Sequence, residues 1–332
     1  MLNPDFQLNP KLFDEKVELA SMRAGFGEGL VQAGKSDKDV VVLCADLAES
    51  TQTEAFKKAF PDRFVELGVA EQNLATVASG MAAMGKIPFM ASYAVFSPGR
   101  NWEQIRTTIC YNNRPVKIIG SHVGVNVGPD GGSHQALEDI ALMRVLPRMV
   151  VISPCDANEA KRAAIAIAKT KDPTYIRLVR EKSPVMTTKE TPFEVGKASI
   201  VFHPQSGKKA DVGIIATGAL LHKALIAAKS LESHGKHVTV LNLSTIKPLD
   251  EAAIIRLAHE AHAIVTVEEH QVAGGMGGAV AELLAAHFPV PIEFIGVRNQ
   301  FGQSGTATEL FAHYGLDERS ITEAAHRVML RK

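Results

Sequence analysis

The sequence predicts an α/β protein made of two doubly wound domains. Its 332 residues exceed what a single hydrophobic core usually organises. Short apolar runs rich in β-branched residues alternate with helical patterns, as is typical of parallel sheets covered by helices. A polar segment with two prolines interrupts this pattern. We therefore predict domains at residues 1–183 and 196–332, joined by an exposed linker at residues 184–195.

Four buried strands and four helices are predicted in the first domain. The strands cover Val40–Cys44, Ile87–Met90, Val116–Ile119 and Val150–Ile152. The helices cover Lys16–Val31, Glu71–Met84, Trp102–Ile109 and Asn158–Lys169. Their apolar residues recur at the spacing of helices that pack on a sheet. The alternation predicts one doubly wound domain.

The second domain has the same kind of pattern, without a sequence repeat of the first. Its predicted strands cover Val212–Ala216, Val238–Leu243, Ile264–Val267 and Ile292–Ile295. Its predicted helices cover Leu220–Ser233, Asp250–His259 and Ala279–Ala286. Both domains therefore belong to the same structural class.

The composition favours a folded protein that binds neither nucleic acid nor membranes. Apolar residues make up 46% of the chain and charged residues 22%, within the range of globular proteins. The 36 basic and 36 acidic residues cancel, so no global field attracts nucleic acid or anionic lipid. The N-terminal residues do not resemble a secretory signal, and no segment reaches transmembrane length. We therefore expect a cytoplasmic protein.

The cysteines indicate neither a disulfide framework nor a zinc site. Cys44, Cys110 and Cys155 are odd in number, far apart in sequence and without metal-ligand spacing. We interpret them as buried thiols.

Glu71 begins a helix of small residues in the segment Leu67–Leu74. A carboxylate in the first turn stabilises the helix dipole, and this structural role is one interpretation. The functional interpretation is an acid in an apolar pocket that includes Val69, Ala70 and Leu74. Desolvation there would raise the pKa of Glu71, so that it could share a proton with a bound heterocycle. The local sequence leaves both interpretations open.

A glycine-rich loop at residues 121–135 directly follows a predicted buried strand. Ligands of open α/β sheets bind where loops leave the carboxyl ends of strands. The loop contains His122, Asp130 and His134, which are more polar groups than a turn requires, so we predict a functional role. Metal binding is the competing hypothesis, but the spacing fits no known motif. Hydrogen bonding to a polyhydroxylated substrate or a cofactor phosphate is preferred, and no metal site is predicted.

Two further segments contain candidate binding features. Tyr93 and Phe96 follow the strand predicted at Ile87–Met90, where their ring faces could stack on a planar cofactor, although most such aromatics lie in cores. The glycine run at residues 273–280 opens a predicted helix, whose first amides could bind an anion. It matches no nucleotide-binding fingerprint, so we interpret it as a tight turn.

Taken in order, these segments resemble the pyrimidine-binding domain of transketolases. The matching motifs are Glu71 in GVAEQNL, Tyr93 and Phe96 in SYAVF, and HVGVNVGPDGGSHQ at residues 122–135. The resemblance continues through Leu137–Glu159 and Tyr175–Pro184 in the same domain. The segments Val267–Gly278 and Val297–Leu316 resemble the transketolase C-terminal domain. The resemblance therefore covers nearly the whole chain.

The resemblance implies an enzyme that depends on thiamine diphosphate and Mg²⁺ and transfers a two-carbon ketol unit from a ketose phosphate to an aldose phosphate. Glu71 would protonate or hydrogen-bond the aminopyrimidine ring nitrogen. Phe96 would stack on the pyrimidine, with Tyr93 beside it. His122 and His134 would act with Glu71 in catalysis, and His134 would also contact the cofactor.

The resemblance also implies a binding site for sugar phosphates. His122 and Asp130 match positions that contact sugar hydroxyls. Arg23, Ser50 and Arg180 match positions that bind the distal phosphate, where guanidinium groups form charge-assisted hydrogen bonds.

One element of the family is absent from this sequence. The motif that holds magnesium and the diphosphate starts with Gly-Asp-Gly and ends with a downstream Asn, and Gly128-Pro129-Asp130-Gly131 departs from it. In full-length members that motif lies in an N-terminal domain. We therefore expect a second polypeptide to supply it and to hold most of the Mg²⁺ contacts, in an α2β2 heterotetramer whose paired arrangement follows the general prevalence of two-fold symmetry.

Three alternatives remain open at this level. Deoxyxylulose phosphate synthase shares the Glu motif and the DG-x-x-H loop, but its loop usually opens with Asp-Arg where this one has His122-Val123. The β subunit of 2-oxo acid dehydrogenases has the same two domains but lacks the loop from His122 to His134. A non-catalytic scaffold paralogue would be favoured by loss of Glu71 or the histidines, which are all present.

Overall fold

Strands and helices alternate through the computed structural model, which describes residues 1–205 and 208–332. The strands of these residues are β1 (Leu19–Ala20), β2 (Val40–Cys44), β3 (Phe64–Glu66), β4 (Ile87–Tyr93), β5 (Lys117–Ser121), β6 (Val150–Ile152), β7 (Thr174–Leu178), β8 (Ser183–Pro184), β9 (Ser199–Phe202), β10 (Val212–Ala216), β11 (Val238–Asn242), β12 (Thr245–Lys247), β13 (Ile264–Gln271) and β14 (Ile292–Val297).

Helices connect most of these strands. The α-helices of the described ranges are α1 (Met22–Ser36), α2 (Glu54–Ala59), α3 (Glu71–Ala83), α4 (Trp102–Gln104), α5 (Asp139–Arg144), α6 (Ala157–Ile167), α7 (Leu221–Ser233), α8 (Glu251–Ala261), α9 (Met276–His287), α10 (Ala307–His313) and α11 (Glu318–Met329). A π-helix at Ile105–Tyr111 continues α4, and a 3₁₀ segment covers Val125–Asp130.

Two mostly parallel sheets form the two domains. The seven-stranded sheet has the order β12-β6-β7-β5-β4-β2-β3, and its edge strand β12 is antiparallel to β6. The five-stranded sheet has the order β14-β13-β10-β11-β9, with β9 antiparallel at the edge. The predicted class of two α/β domains is confirmed.

The two domains interlock through exchanged segments. Strand β12 comes from the predicted second domain but pairs with β6 in the first sheet. In the opposite direction, Leu2 forms a bridge with Phe202, and Phe6 and Leu12 lie in the apolar core of the second domain. A second apolar cluster is continuous between the two sheets and joins, for example, Ile118 with Ile264. Each domain therefore contributes to the core of the other.

The segment predicted as an exposed linker is partly buried. Val185, Met186, Thr187 and Thr191 are all buried. The backbone amides of Met186 and Thr187 donate to the carboxylate of Asp156, at 2.8 and 2.6 Å. Polar threonines suggested solvent exposure, but their hydrogen bonds are made inside the protein. Other residues of the segment, such as Lys189, Glu190 and Glu194, are exposed, so the expected solvent exposure applies to part of the segment only. The domain and linker bounds stay a prediction.

The predicted strands and helices are recovered with shifted ends. The helix predicted from Lys16 begins only at Met22, because the Ser21 side chain caps it by accepting from the Ala24 amide. The helix predicted at Trp102–Ile109 becomes mostly a π-helix. The interior strand β7, which includes Arg177, was not among the strands predicted from the residue pattern.

The glycine run before α9 forms the predicted turn. Gly274 has a positive φ of 76°, and α9 begins two residues later. The first amides of α9, those of Met276 and Gly277, donate to the Glu268 carboxylate at 2.6 and 2.8 Å. The anion at this helix N-terminus is therefore a side chain of the protein itself.

The described residues can also be compared with the expectations for the cysteines, for membrane-spanning helices and for metal sites. Cys44, Cys110 and Cys155 are free and buried, as predicted. Within residues 1–205 and 208–332, no helix has the length and apolar character needed to cross a bilayer. The same residues include no cluster of three or more His, Cys, Asp or Glu side chains suited to a metal ion.

A buried ion pair lies between the two domains. Arg177 of β7 donates to both carboxylate oxygens of Asp139, at 2.6 and 3.0 Å, and both side chains are at most 3% exposed. The Tyr175 hydroxyl donates to the same carboxylate at 2.7 Å. Arg177 also donates to the backbone carbonyl of Glu269 in β13, at 3.0 Å. This network satisfies its charged groups without solvent.

We predict that Asp139→Ala lowers the free energy of unfolding by about 3–5 kcal/mol, because it leaves the Arg177 charge buried without its acceptor. Urea titration measures the change. Glu323→Ala serves as the control, since it breaks an exposed pair with Arg319 and should cost less than about 1 kcal/mol. Equal losses in the two variants would contradict this assignment.

Candidate active site

The predicted site residues converge at one edge of the seven-stranded sheet. Parallel strands bring their carboxyl ends to the same edge, and the segments that follow those ends lie there together. Ser50 follows β2, Glu71 follows β3, and Tyr93 ends β4. His122 follows β5, and Arg180 follows the unpredicted strand β7. Arg23, in the first turn of α1, hydrogen-bonds the backbone of both Ser50 and Arg180.

Glu71 is the first residue of α3 and is only 2% exposed. Its carboxylate accepts a hydrogen bond from Arg100 Nη1 at 3.1 Å, while its backbone carbonyl accepts one from Asn101 at 2.9 Å. The Arg100 side chain is about half exposed, at 52%. Of the residues expected to form an apolar pocket, Leu74 is buried but Val69 is 70% exposed, so the predicted pocket is recovered only in part. A guanidinium lies on one side of the carboxylate. Arg100 was not among the residues predicted for the site, although it lies four residues after Phe96.

The aromatic residues form a small stack beside this carboxylate. The Tyr93 and Phe96 rings are nearly parallel, with centroids 6.3 Å apart. Tyr93 stacks on the His122 ring at 3.8 Å, and Phe96 meets the His134 ring edge-on at 5.6 Å. The guanidinium carbon of Arg100 lies 4.8 Å from the centre of the Phe96 ring. The structure thus brings together the residues of two sequence motifs, SYAVF and the glycine-rich loop.

His122 is a buried imidazole between positive charges. It is 3% exposed, has a φ of 59°, and its Nδ1 lies 2.8 Å from Ser121 Oγ. Burial lowers the pKa of His122 to about 3, and the charges of Arg23 and Arg180 act in the same direction. The ring is therefore neutral at physiological pH. A neutral imidazole can exchange hydrogen bonds with an uncharged hydroxyl group.

Two guanidinium groups form a partly desolvated positive cluster. Arg23 donates to the carbonyls of Ser50 and Arg180, the latter at 2.7 Å. Arg180 donates to the Val127 carbonyl at 2.9 Å. Burial lowers the pKa of Arg23, and the neighbouring Arg180 charge adds to this effect. Arg180 Nη1 also donates to the half-exposed Glu181 carboxylate at 3.1 Å, so one negative charge already lies beside the cluster. Guanidinium groups form charge-assisted hydrogen bonds with anions, and the cluster therefore has the chemistry to bind an anionic group.

His134 and Asp130 of the glycine-rich loop differ in their exposure to solvent. His134 is half-buried, and its Nδ1 lies 3.0 Å from Ser133 Oγ. Asp130 is exposed at the end of the 3₁₀ segment. The predicted contacts of Asp130 with a sugar stay a prediction.

The chain matches two family models over most of its length. Residues 18–185 match the transketolase pyrimidine-binding domain, and residues 203–321 match the transketolase C-terminal domain.

Individual relatives extend over nearly the entire chain. A Methanocaldococcus jannaschii protein, "Putative transketolase C-terminal section", is 44% identical over 93% of this chain and 95% of its own length. A 6-deoxy-6-sulfo-D-fructose transketolase subunit from Clostridium sp. is 37% identical over 96% and 98%, respectively. Among solved structures, a split gene transketolase described as an inactive β4 tetramer has 41% identity and a TM-score of 0.87. The alignment covers 94% of this chain and 99% of that one.

These comparisons agree with the class of protein that the fold and the site define, a two-domain α/β chain with aromatic and arginine side chains at one edge of its first sheet. The chain belongs to the transketolase family and comprises its pyrimidine-binding and C-terminal domains. It is a C-terminal subunit of that family, similar to the subunits of split transketolases. The resemblance stated from sequence motifs is confirmed.

The low pKa of His122 predicts a specific pH dependence of stability. Above pH about 6.5 the ring is neutral in both the folded and unfolded states. As the pH falls toward 3, the unfolded chain takes up a proton that the folded chain excludes, so His122 destabilises the fold. We expect the melting temperature of the wild type to fall further over this range than that of His122→Asn. Parallel curves for the two proteins would contradict the assignment.

Proposed function

We propose that this chain is the C-terminal subunit of a thiamine diphosphate-dependent transketolase, active together with an N-terminal partner subunit. It would transfer a two-carbon ketol unit from a ketose phosphate to an aldose phosphate. The observation that carries the proposal is the buried Glu71 carboxylate beside the Phe96 and Tyr93 rings, at the edge that also holds the Arg23 and Arg180 pair. Acid, aromatic surface and anion site are the three features that this chemistry needs.

The residues present fit the pyrimidine half of the cofactor. A planar aminopyrimidine needs an apolar ring face and a carboxyl group on its ring nitrogen, and Phe96 and Glu71 have these properties. Asn101 also has a buried Oδ1 without a partner among the described residues. Thiamine diphosphate would supply carbanion stabilisation. Glu71 would hold a proton at the ring nitrogen, with Tyr93 and His134 contacting the cofactor beside Phe96.

The diphosphate and Mg²⁺ would be held mainly by the partner subunit. The described residues contain no cluster suited to a metal ion, and the family's Gly-Asp-Gly motif is absent from the sequence. Relatives named as a section or subunit of a transketolase support a second chain. We propose an α2β2 heterotetramer, in keeping with the prevalence of two-fold symmetric assemblies.

The substrate would be oriented by its anionic end and its hydroxyl groups. Arg23 and Arg180 would bind the distal phosphate together with Ser50, because both guanidinium groups lie at this edge. Neutral His122 would hydrogen-bond a sugar hydroxyl, with His134 and Asp130 contacting others. One relative is named for a sulfonated sugar, and a sulfonate would use the same charge complementarity.

Mixing this chain with an N-terminal subunit tests the proposed activity directly. Ketol transfer from xylulose phosphate to ribose phosphate should appear only when this chain is mixed with an N-terminal subunit, thiamine diphosphate and Mg²⁺. Glu71→Gln should lower kcat by about 10²-fold or more, because the amide cannot hold the transferable proton. Glu54→Gln, in an exposed pair with Lys58, should leave kcat unchanged.

Reconstitution also separates the alternatives. Complex formation without turnover of any ketose donor would favour the scaffold paralogue. Turnover of pyruvate with glyceraldehyde phosphate would favour the deoxyxylulose phosphate synthase-like activity, and turnover of 2-oxo acids would favour the dehydrogenase β-like one.

Replacement of Arg180 tests how the anionic end of the substrate is bound. Arg180→Ala should raise KM for a sugar phosphate by roughly 10- to 100-fold, because a charge-assisted hydrogen bond is lost. The concentration of thiamine diphosphate needed for half-maximal activity should stay unchanged. Arg319→Ala, at an exposed site, is the control. An equal rise in KM for the corresponding unphosphorylated sugar would contradict the role of Arg180.

A further inference from the structure

Glu269 of the C-terminal domain contacts the stem of the glycine-rich loop. This residue of β13 is 4% exposed, and its Oε1 accepts the backbone amide of Asn126 at 2.6 Å. Gly124 lies directly against the same carboxyl group. A Cβ atom at Gly124 would come within 2.2 Å of Glu269 Oε1, and Gly124 also has a φ of 73°. The loop is therefore shaped around this carboxyl group.

Asn126 connects this contact with the segment that contains Arg180. Its side-chain Oδ1 accepts the backbone amide of Glu181 at 2.6 Å. The next loop residue, Val127, accepts a hydrogen bond from Arg180 Nη1 at 2.9 Å. The position of Arg180 is thus fixed by two hydrogen bonds to the loop, one from its side chain and one from the backbone amide of the next residue, Glu181. A short series of hydrogen bonds connects β13 with the guanidinium that would bind the substrate.

The backbone of Glu269 is itself held by the first domain. Arg177 donates to the Glu269 carbonyl, and Asp139 holds Arg177 in turn. Burial raises the pKa of Glu269 to about 8. Either protonation state retains an oxygen that accepts the Asn126 amide. The hydrogen bond, rather than the charge, is therefore the relevant contact.

The C-terminal domain contacts the far end of the loop as well. Gln135 Nε2 donates to the carbonyl of Gln303 at 3.0 Å, across 168 residues of sequence. A Cβ at Gly132 would come within 2.5 Å of the Gly302 carbonyl oxygen. Both ends of the loop that contains His134 and Asp130 are therefore packed against the second domain.

We propose that the C-terminal domain positions the substrate-binding edge, and that Glu269 and Asn126 are the positioning residues. The role in substrate binding rests on the proposed function, whereas the ordering of the loop does not. Glu269 fixes the loop backbone at Asn126, and the Asn126 side chain fixes the segment of Arg180. Neither residue needs to touch the substrate.

The test uses four variants of the full chain. Glu269→Ala removes the acceptor, and Glu269→Gln keeps an oxygen acceptor of similar size. Asn126→Ala removes the acceptor of the Glu181 amide but retains the amide that Glu269 binds. Glu282→Ala is the matched control, because Glu282 pairs with Arg144 across the same two domains but is exposed.

Hydrogen–deuterium exchange on the subunit alone is the first measurement. We expect the amide of Asn126 to exchange at least 10-fold faster in Glu269→Ala, because its acceptor is lost. Glu269→Gln should restore slow exchange. In Asn126→Ala, the amide at position 126 should stay protected while the Glu181 amide becomes exposed to exchange.

Kinetics of the reconstituted complex are the second measurement. Glu269→Ala and Asn126→Ala should raise KM for the sugar phosphate roughly 10-fold, with a smaller change in kcat and none in Glu282→Ala. Unchanged exchange at Asn126 in Glu269→Ala, or exchange in Glu269→Gln as fast as in the Ala variant, would overturn the proposal. The exchange rates could change as expected while the wild-type chain forms a complex with the N-terminal subunit that shows no turnover. That result would refute the proposed function and leave the ordering of the loop established.

Discussion

Parallel pairing in the seven-stranded sheet is the constraint on which the site depends. The strands must end at one edge, and each loop that leaves that edge brings one component of the site. The chain supplies the acid after β3, the aromatic residues after β4, the histidines after β5 and an arginine after β7. None of these residues is adjacent in sequence. Their proximity follows from the register of the sheet rather than from local structure.

The second constraint is the buried polar contact between the domains. Asp139 and Arg177 are paired, and Arg177 binds the backbone of β13. Such a pair adds little net stability compared with apolar packing, but it is sensitive to geometry because each partner needs the other. It therefore fixes how β13 approaches the first sheet. The glycine-rich loop then packs on Glu269, so domain docking and loop conformation are linked.

The sequence predicted the fold class well because strands such as Val40–Cys44 and Val212–Ala216 are continuous apolar runs. It failed where tertiary contacts override the local pattern. Strand β7 contains Arg177, whose charge is paired with Asp139, 38 residues earlier in the chain. The segment near Met186 has polar side chains and two prolines, but its amides donate to the distant Asp156, a contact that the local sequence does not indicate.

The same limit applies to the candidate site. Motifs identified its residues, but not the contact between Arg100 and Glu71, nor the contact of Glu269 with the Asn126 amide, because neither pair lies within one motif.

The exchange of segments between the domains also limits how the chain can be divided or recombined. Strand β12 completes the first sheet, while residues near Phe6 and Leu12 complete the second core. A cut at residues 184–195 would leave each half with an open sheet edge or an unfilled core. Recombination that exchanges one domain for that of a homologue must therefore carry the crossing segments with their recipient. The two domains therefore have to be exchanged together, as one structural unit.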